Sequence, residues 1–421
     1  MAIWPTNLNF NVSAWIRSKR CRRLLKQPLR LNTHSQAALF PLEAPVRGAD
    51  YRVGGVFTRC GQFITKSGLV RQSQQLIQPI TDPVYDNCTY MPGRAIYLGA
   101  CFNHYGHFIT ESLGRIWPLI QEGIDSYDHI VVLPWTTIPL YALKVFQQMG
   151  LSDRLLIPET PIIFETLDVP DTLITLGDQV HSSITCLSQI YADVDKIRGI
   201  EEQVLFISRA NVGLSGFDRA LIGEEAIENM LENSGARIFR PEEHELEEQI
   251  RILKSHRTVV GFGGSGLHTL LLSGGKKSIF GYTARKLPPI FPLIDAALEN
   301  NSVYVHAKGK LLPGMAPLRT CFMPQIINPK PVLSVLKSSG LISDFDLSEL
   351  SSPDYLNAIT QKYNTVLLLR HAVETRAKAE LNVTRIAIDQ FVDKFKIDWQ
   401  HVQEQATRNT DLTEIFGSYL D

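Results

Sequence analysis

"RTVVGFGGSGLHTLLLSGGKKSIFGY", residues Arg257 to Tyr282, sets the fold class. An apolar run rich in β-branched residues ends at Gly261. Glycines follow at Gly263, Gly264 and Gly266, a short helix is predicted from about Leu267 to Ser273, and Gly274-Gly275 stops it before a second apolar run. Strand, loop, helix and strand in this order is the unit of a parallel α/β sheet. The loop also offers backbone N–H groups and the positive end of a helix dipole to an anion, most often phosphate.

The pattern continues upstream. "QVLFISRA", Gln203 to Ala210, places Ser208 and Arg209 at the C-terminal end of a predicted strand, where open α/β sheets hold their ligands. A guanidinium there can take a diphosphate by two parallel hydrogen bonds. From about Tyr51 to Pro170, β-like runs such as "AIYLGA" (95–100), "HIVVLP" (129–134) and "IIFETLDVP" (162–170) alternate with helical patterns and predict another α/β layer. "SQIYADVDKIRGIEEQ" (188–203) reads as a helix joining the two. After Val305 the chain turns rich in proline and glycine, then mostly helical to Asp421. With 421 residues it exceeds the size of one core. Four segments are expected: a basic N-terminal segment (1–48), a first α/β domain (49–182), a second (183–330) and a helical C-terminal region (331–421).

In the first domain, "NHYGHFITESLGRIW", Asn103 to Trp117, is unusual for a helix surface because it carries no lysine. On a helical wheel His104, His107, Glu111 and Arg115 fall within roughly 80° of arc. Phe102, Tyr105, Ile109, Leu113 and Ile116 form an apolar stripe elsewhere. His107 and Glu111 are spaced i,i+4, so the carboxylate can hold the imidazole in one tautomer, with Arg115 expected to pair with Glu111 a turn further on. Gly106 and Gly114 each cost about 1 kcal/mol inside a helix, which suits a close approach to the backbone. Pro118 is expected to help end the helix. An ordinary solvated face and a metal site built from His104, His107 and Glu111 are the competing readings.

The formal charge of −1 argues against a general nucleic-acid binder. The six cysteines show no CxxC spacing and fit reduced thiols in a cytosol. No apolar run approaches a membrane span and no signal-peptide pattern opens the chain, so a cytoplasmic protein is expected. One stretch departs from the average: Arg17, Lys19, Arg20, Arg22, Arg23, Lys26 and Arg30 follow Trp4, Phe10 and Trp15 with no acid before Glu43. Residues 15–30 could therefore sit peripherally at an anionic membrane surface, the alternative being a solvated terminus.

Taken together, these stretches resemble glycosyltransferase family 61. "NHYGHFITESLGRIW" is similar to its N-terminal His/Glu/Arg/Trp motif. "LFISRANVGLSGFDRALIGEEAIENML" (205–231) is similar to its strand-arginine segment, with Arg219 and Glu224 at the positions of a second arginine and a glutamate. "GARIFRPEEHELEEQIRILKSHRTVVGFGGSGLHTLLLS" (235–273) resembles its closing stretch, with Glu242 and Gln249 matching. The family often has a histidine at the position of Gly263; here the histidine comes later, at His268.

The resemblance implies two Rossmann-like domains facing across a cleft, a GT-B-like arrangement, with nucleotide sugar on the C-terminal domain and acceptor on the N-terminal one. It implies an inverting transfer from a nucleoside-diphosphate sugar to a glycan or lipid-linked glycan hydroxyl. His107 and Glu111 would be the catalytic pair. Arg209, Gly263, Gly264, Ser265, Gly266, His268 and Glu242 would bind the donor, and Asn103, His104 and Arg115 would support the acceptor side. With arginine and backbone dipoles facing the diphosphate, neither metal nor cofactor is expected. Two other classes compete: a non-catalytic sugar-nucleotide or glycan-binding protein on the same scaffold, and an NADP-binding oxidoreductase. The latter rests on Gly261, Gly263 and Gly266 with Arg285 beyond the next strand, where an NAD enzyme would have an acid.

Overall fold

The structure is a computed structural model that describes residues 24–46, 50–194, 202–210, 220–316, 324–344, 346–376, 381–398 and 402. Its apolar runs form two large sheets. The first contains β1 (Leu31–Glu43), β2 (Arg52–Phe57), β3 (Ile77–Gln78), β4 (Thr89–Cys101), β5 (His129–Pro134), β6 (Leu155–Leu156) and β7 (Ile162–Pro170). Their spatial order is β3-β2-β1-β7-β4-β5-β6. β4, β5, β6 and β7 run parallel, whereas β1 is antiparallel to both β2 and β7.

This sheet is therefore mixed, unlike the purely parallel form that a Rossmann-like domain implies. The cause is β1, whose "AALF" run is buried at the sheet centre although it lies inside the segment read as a basic terminus. The other central strand, β4, is apolar on both faces and covered on both. Ile96 and Leu98 face one cluster, and Ala95 and Tyr97 face another together with Val131 and Leu133.

The second sheet contains β8 (Leu205–Ile207), β9 (Arg237–Phe239), β10 (Thr258–Phe262), β11 (Ser278–Thr283) and β12 (Asn301–His306). All four pairings are parallel, in the order β9-β8-β10-β11-β12. The chain leaves β8 toward one edge and returns on the other side at β10, so the strand order reverses between β8 and β10. In doubly wound sheets, ligands bind in the crevice beyond the C-terminal strand ends at such a switch. Here those ends are Ser208-Arg209 and the glycine loop.

One apolar layer joins the sheets. Phe108, Ile109 and Leu113 from the first half lie in the same buried cluster as Leu205, Ile250 and Leu271 from the second. The region between them, read as a helix from Ser188, is a 3-10 helix over Ser182–Tyr191; residues 195–201 lie outside the described ones. Beyond the second sheet come helices Pro329–Ser338, Pro353–Arg376 and Leu381–Phe395. Tyr363, Val366 and Leu367 pack on Ala220, Ile222 and Met315, which ties this region to the second half.

Candidate active site

β4 delivers the chain to a six-residue α-helix, Tyr105–Thr110. His104 caps it, its Nδ1 accepting the His107 N–H at 3.4 Å. Glu111 is the last residue with helical hydrogen bonding, and a 3-10 turn over Ser112–Arg115 follows. The change of pitch breaks the four-residue row read from the wheel: His104, His107 and Glu111 stay together, and Arg115 turns away. Pro118 opens the next helix, Trp117–Glu122, rather than closing this one.

His107 and Glu111 meet as their spacing predicts. His107 Nδ1 lies 2.7 Å from Glu111 Oε2, with the carboxylate almost fully buried and the imidazole 35% exposed. The cation beside them is not Arg115 but Arg71. Its Nε donates to Glu111 Oε1 at 2.7 Å and its Nη2 to Oε2 at 2.6 Å, a two-pronged pair. An ionised carboxylate only accepts, so Nδ1 carries the proton it shares with Glu111 and Nε2 keeps a lone pair. No described residue takes a hydrogen bond from or to Nε2.

Arg115 is buried and bonded to main-chain oxygens: Nη2 donates to Lys66 O and Gly68 O, and Nε to Pro170 O. Its guanidinium lies against Gly99, where a Cβ would stand 2.7 Å from Nη1. Burial lowers its pKa. Arg115 thus fastens the loop at Lys66–Gly68 to the sheet, a structural duty in place of the expected pairing with Glu111.

In the second half, Arg209 leaves β8 with its N–H donated to Glu224 Oε2 at 2.9 Å. Its guanidinium lies over the Phe262 ring and against the glycine loop, 3.0 Å from where a Cβ on Gly264 would stand. Glu224 is fully buried and also accepts the Tyr282 hydroxyl. Desolvation pushes its pKa up to about 7 against the pull of Tyr282 and Arg209. Beside it Glu228 accepts Ser208 Oγ at 2.5 Å and an Arg240 N–H.

Within the loop the glycines divide their work. Gly263 N–H is committed to Tyr282 O at 2.8 Å, so it is not a donor for a ligand. Gly264 caps a short helix, Ser265–His268, whose first N–H groups have no partner inside the helix. Gly266 is small because Ile207 is close: a Cβ there would meet Ile207 Cγ2 at 3.2 Å.

The two halves meet at this point. A Cβ on Gly106 would stand 2.7 Å from Ser265 Oγ, and Tyr105 Oη lies 2.9 Å from Thr269 Oγ1. The glycine cost noted in the sequence is explained by that approach, and Gly114 is likewise pressed against Thr172 Oγ1. His268 is buried, stacked on Phe291 with ring centroids 4.6 Å apart, and its Nδ1 has no hydrogen-bond partner. Desolvation, with His107 and His104 nearby, pushes its pKa down to about 3, so it is neutral.

The remaining candidates are less central. Asn103 is exposed just before the helix, and Glu242 is exposed with a pKa raised by partial desolvation, close enough to Arg240 and Arg209 to feel both charges. Arg219 lies outside the described residues. Among the described residues no three His, Cys, Asp or Glu side chains converge as a metal site. A cavity of about 300 Å³ is lined by Glu111 together with Lys66, Leu69, Arg115, Asp171 and His181 among others. Arg71 escaped the sequence reading altogether: it stands 40 residues before its partner, in "LVRQSQQ", and no periodicity links them.

Residues 105–279, from the first residue of the His107 helix to the start of β11, match the family model Glycosyltransferase 61. No curated protein matches the chain.

Proposed function

We propose that this chain, whose residues 105–279 match the glycosyltransferase family 61 model, transfers a sugar, with inversion, from a nucleoside-diphosphate sugar to a hydroxyl of a glycan acceptor. The observation that carries this reading is the meeting of two devices. The His107–Glu111 pair, with Nε2 unengaged, stands against a glycine loop at the switch point of a parallel sheet, beside Arg209.

The proposed step is one displacement. His107 Nε2 takes the proton of the acceptor hydroxyl; the oxygen bonds to the anomeric carbon; the bond from that carbon to phosphate breaks, and its electron pair leaves with the diphosphate. Arg209 and the first N–H groups of Ser265–His268 face the developing charge. Glu111, with Arg71 on both oxygens, serves as the anion that steadies the imidazolium rather than as the base. His268, neutral and buried, lines the donor side. In this reading the two sheets are the acceptor and donor halves of a GT-B-like enzyme that needs no metal, acts on a glycan or lipid-linked glycan, and works at the cytoplasmic face of a membrane. What supports the last point is the basic sequence before Leu31.

Nucleoside-diphosphate titration of wild type and Arg209→Ala tests the donor side. Affinity should fall by about tenfold or more with the fold intact, as loss of a charge-assisted, two-pronged contact requires. Equal affinity would move the nucleotide elsewhere. Proton NMR of the product anomer tests the stereochemistry, and turnover surviving excess EDTA tests metal independence; retention, or loss restored by manganese, would overturn the respective statement.

A further inference from the structure

We propose that Arg71 is a positioning residue for this transfer: its guanidinium holds Glu111 ionised and in place, and through Glu111 it fixes the tautomer of His107. The inference rests on reading His107 as the base and adds to it a residue forty positions away. Glu111 has two side-chain partners among the described residues, a hydrogen bond with His107 and an ion pair with Arg71, and its side chain is only 2% exposed. A carboxylate so buried needs a cation to stay charged. Imidazole is neutral before it takes a proton, and Arg115 is spent on main-chain oxygens, so the permanent charge comes from Arg71.

The geometry restricts Glu111 in two ways. The fork from Nε and Nη2 fixes the carboxylate plane, and Oε2, shared between Nη2 and His107 Nδ1, is aimed at the imidazole. Arg71 Nη2 also lies 3.3 Å from Nδ1, but it is nearer Glu111 Oε2, at 2.6 Å, so its N–H is spent on the carboxylate and Nδ1 keeps the proton it shares with Oε2 at 2.7 Å. Below, the guanidinium rests over the Phe102 ring at 4.9 Å, and the same ring lies 5.5 Å from that of His107. Arg71, Glu111, His107 and Phe102 thus form a closed group.

Arg71 itself is held by a hairpin built for the purpose. Val70 and Arg71 pair with Gln75 and Gln74 across a two-residue turn, Gln72-Ser73, with φ of 49° and 70°. The Gln72 N–H donates to Leu176 O at 3.2 Å, and the Gln72 side chain presses on Gly177, where a Cβ would meet Cγ at 2.6 Å. The turn is thereby clamped to the segment that follows β7, and the residue before it cannot drift from Glu111.

The test uses the full-length protein with Arg71→Ala and Arg71→Lys, each checked for folding by thermal melting. Side-chain ¹⁵N spectra, with His107 assigned through its loss in His107→Asn, read the tautomer without any substrate. Wild type should show one tautomer, protonated at Nδ1; Arg71→Ala should show a mixture, and Arg71→Lys, which keeps charge but not the fork, an intermediate state. Turnover should fall by about 10–100-fold in Arg71→Ala, the range typical when a partner that orients a reactive group is lost, with donor KM nearly unchanged. Added guanidinium, but not ammonium, should restore part of it. An unchanged His107 tautomer in either folded variant, or wild-type turnover in Arg71→Ala, would overturn the proposal. If the wild type transfers no sugar at all, the functional reading falls, while the spectra still decide whether Arg71 sets His107.

Discussion

Glu111 has both oxygens engaged by Arg71 and one by His107, so removing either member of the proposed catalytic pair should have different consequences. His107→Ala removes the proposed base and should lower turnover by about 10²–10⁴ while nucleotide binding persists. Glu111→Gln keeps the shape but loses the charge, and its loss should lie at the low end of that range; stopped assays with bound-nucleotide titration read both. Near-normal turnover in His107→Ala would remove it as base. His268 allows a stability prediction with a definite sign. Its folded-state pKa is about 3, below the ordinary 6.5, so between these values the unfolded chain binds a proton that the folded one refuses. Its contribution is fully present above pH 6.5 and is lost as pH falls toward 3, at up to about 1.4 kcal/mol per unit. Denaturant melts at pH 7 and pH 4.5 should show a smaller acid loss in His268→Gln than in wild type; the same loss in both would contradict the assignment. The i,i+4 rule made His107 and Glu111 legible in the sequence. Arg71 was not, because a contact across 40 residues leaves no local period, and Arg115 was misjudged because the wheel assumes one pitch where the chain changes to a tighter one.

Elements carry the site by how closely they approach. The helix Tyr105–Thr110 and the loop at Ser265 touch through a glycine, and Gly106→Val would place branched carbons where Ser265 Oγ stands. That variant should keep nucleotide affinity within about threefold yet lose turnover by about tenfold or more, because misplacing reacting groups by around 1 Å costs on the order of 10² in rate. Unchanged turnover would mean that the contact does not set the spacing of base and donor. Gly266→Val acts differently from what the loop's phosphate-cradle pattern suggests: the added carbons meet Ile207 at the end of β8, so it should lower thermal stability along with affinity. At this scale the three middle strands of the second sheet, β8, β10 and β11, were legible, since parallel buried strands read as short continuous apolar runs around glycine stops, whereas the edge strands β9 and β12 were not. The first sheet was legible only in part. Its antiparallel β1 sits in sequence beside a basic stretch whose charge masked the strand, and antiparallel pairing of strands more than a hundred residues apart leaves no turn signal.

For the whole molecule, Leu24-Leu25 pair with Val180-His181 and Arg30 bonds to Asp171, so the basic segment is partly built into the fold. Deletion of residues 1–23 rather than 1–30 is therefore the clean test of membrane binding. The full chain should co-sediment with anionic but not neutral vesicles and release as salt rises, since charges are screened beyond about 8 Å at physiological ionic strength. The deleted form should bind neither yet keep activity on a soluble acceptor. Binding of the full chain to neutral vesicles, or to none, would leave the segment without a membrane role. All of this is subordinate to the chemistry at the meeting of the two halves. The most direct measurement incubates purified wild type and His107→Ala with a panel of nucleoside-diphosphate sugars and glycan acceptors, and reads diphosphate release together with the glycosylated product. The expected result is stoichiometric release and transfer from one donor by wild type, with both lost in His107→Ala while that donor still binds. Absence of transfer from every donor, or equal transfer by the variant, would contradict the assignment of this site.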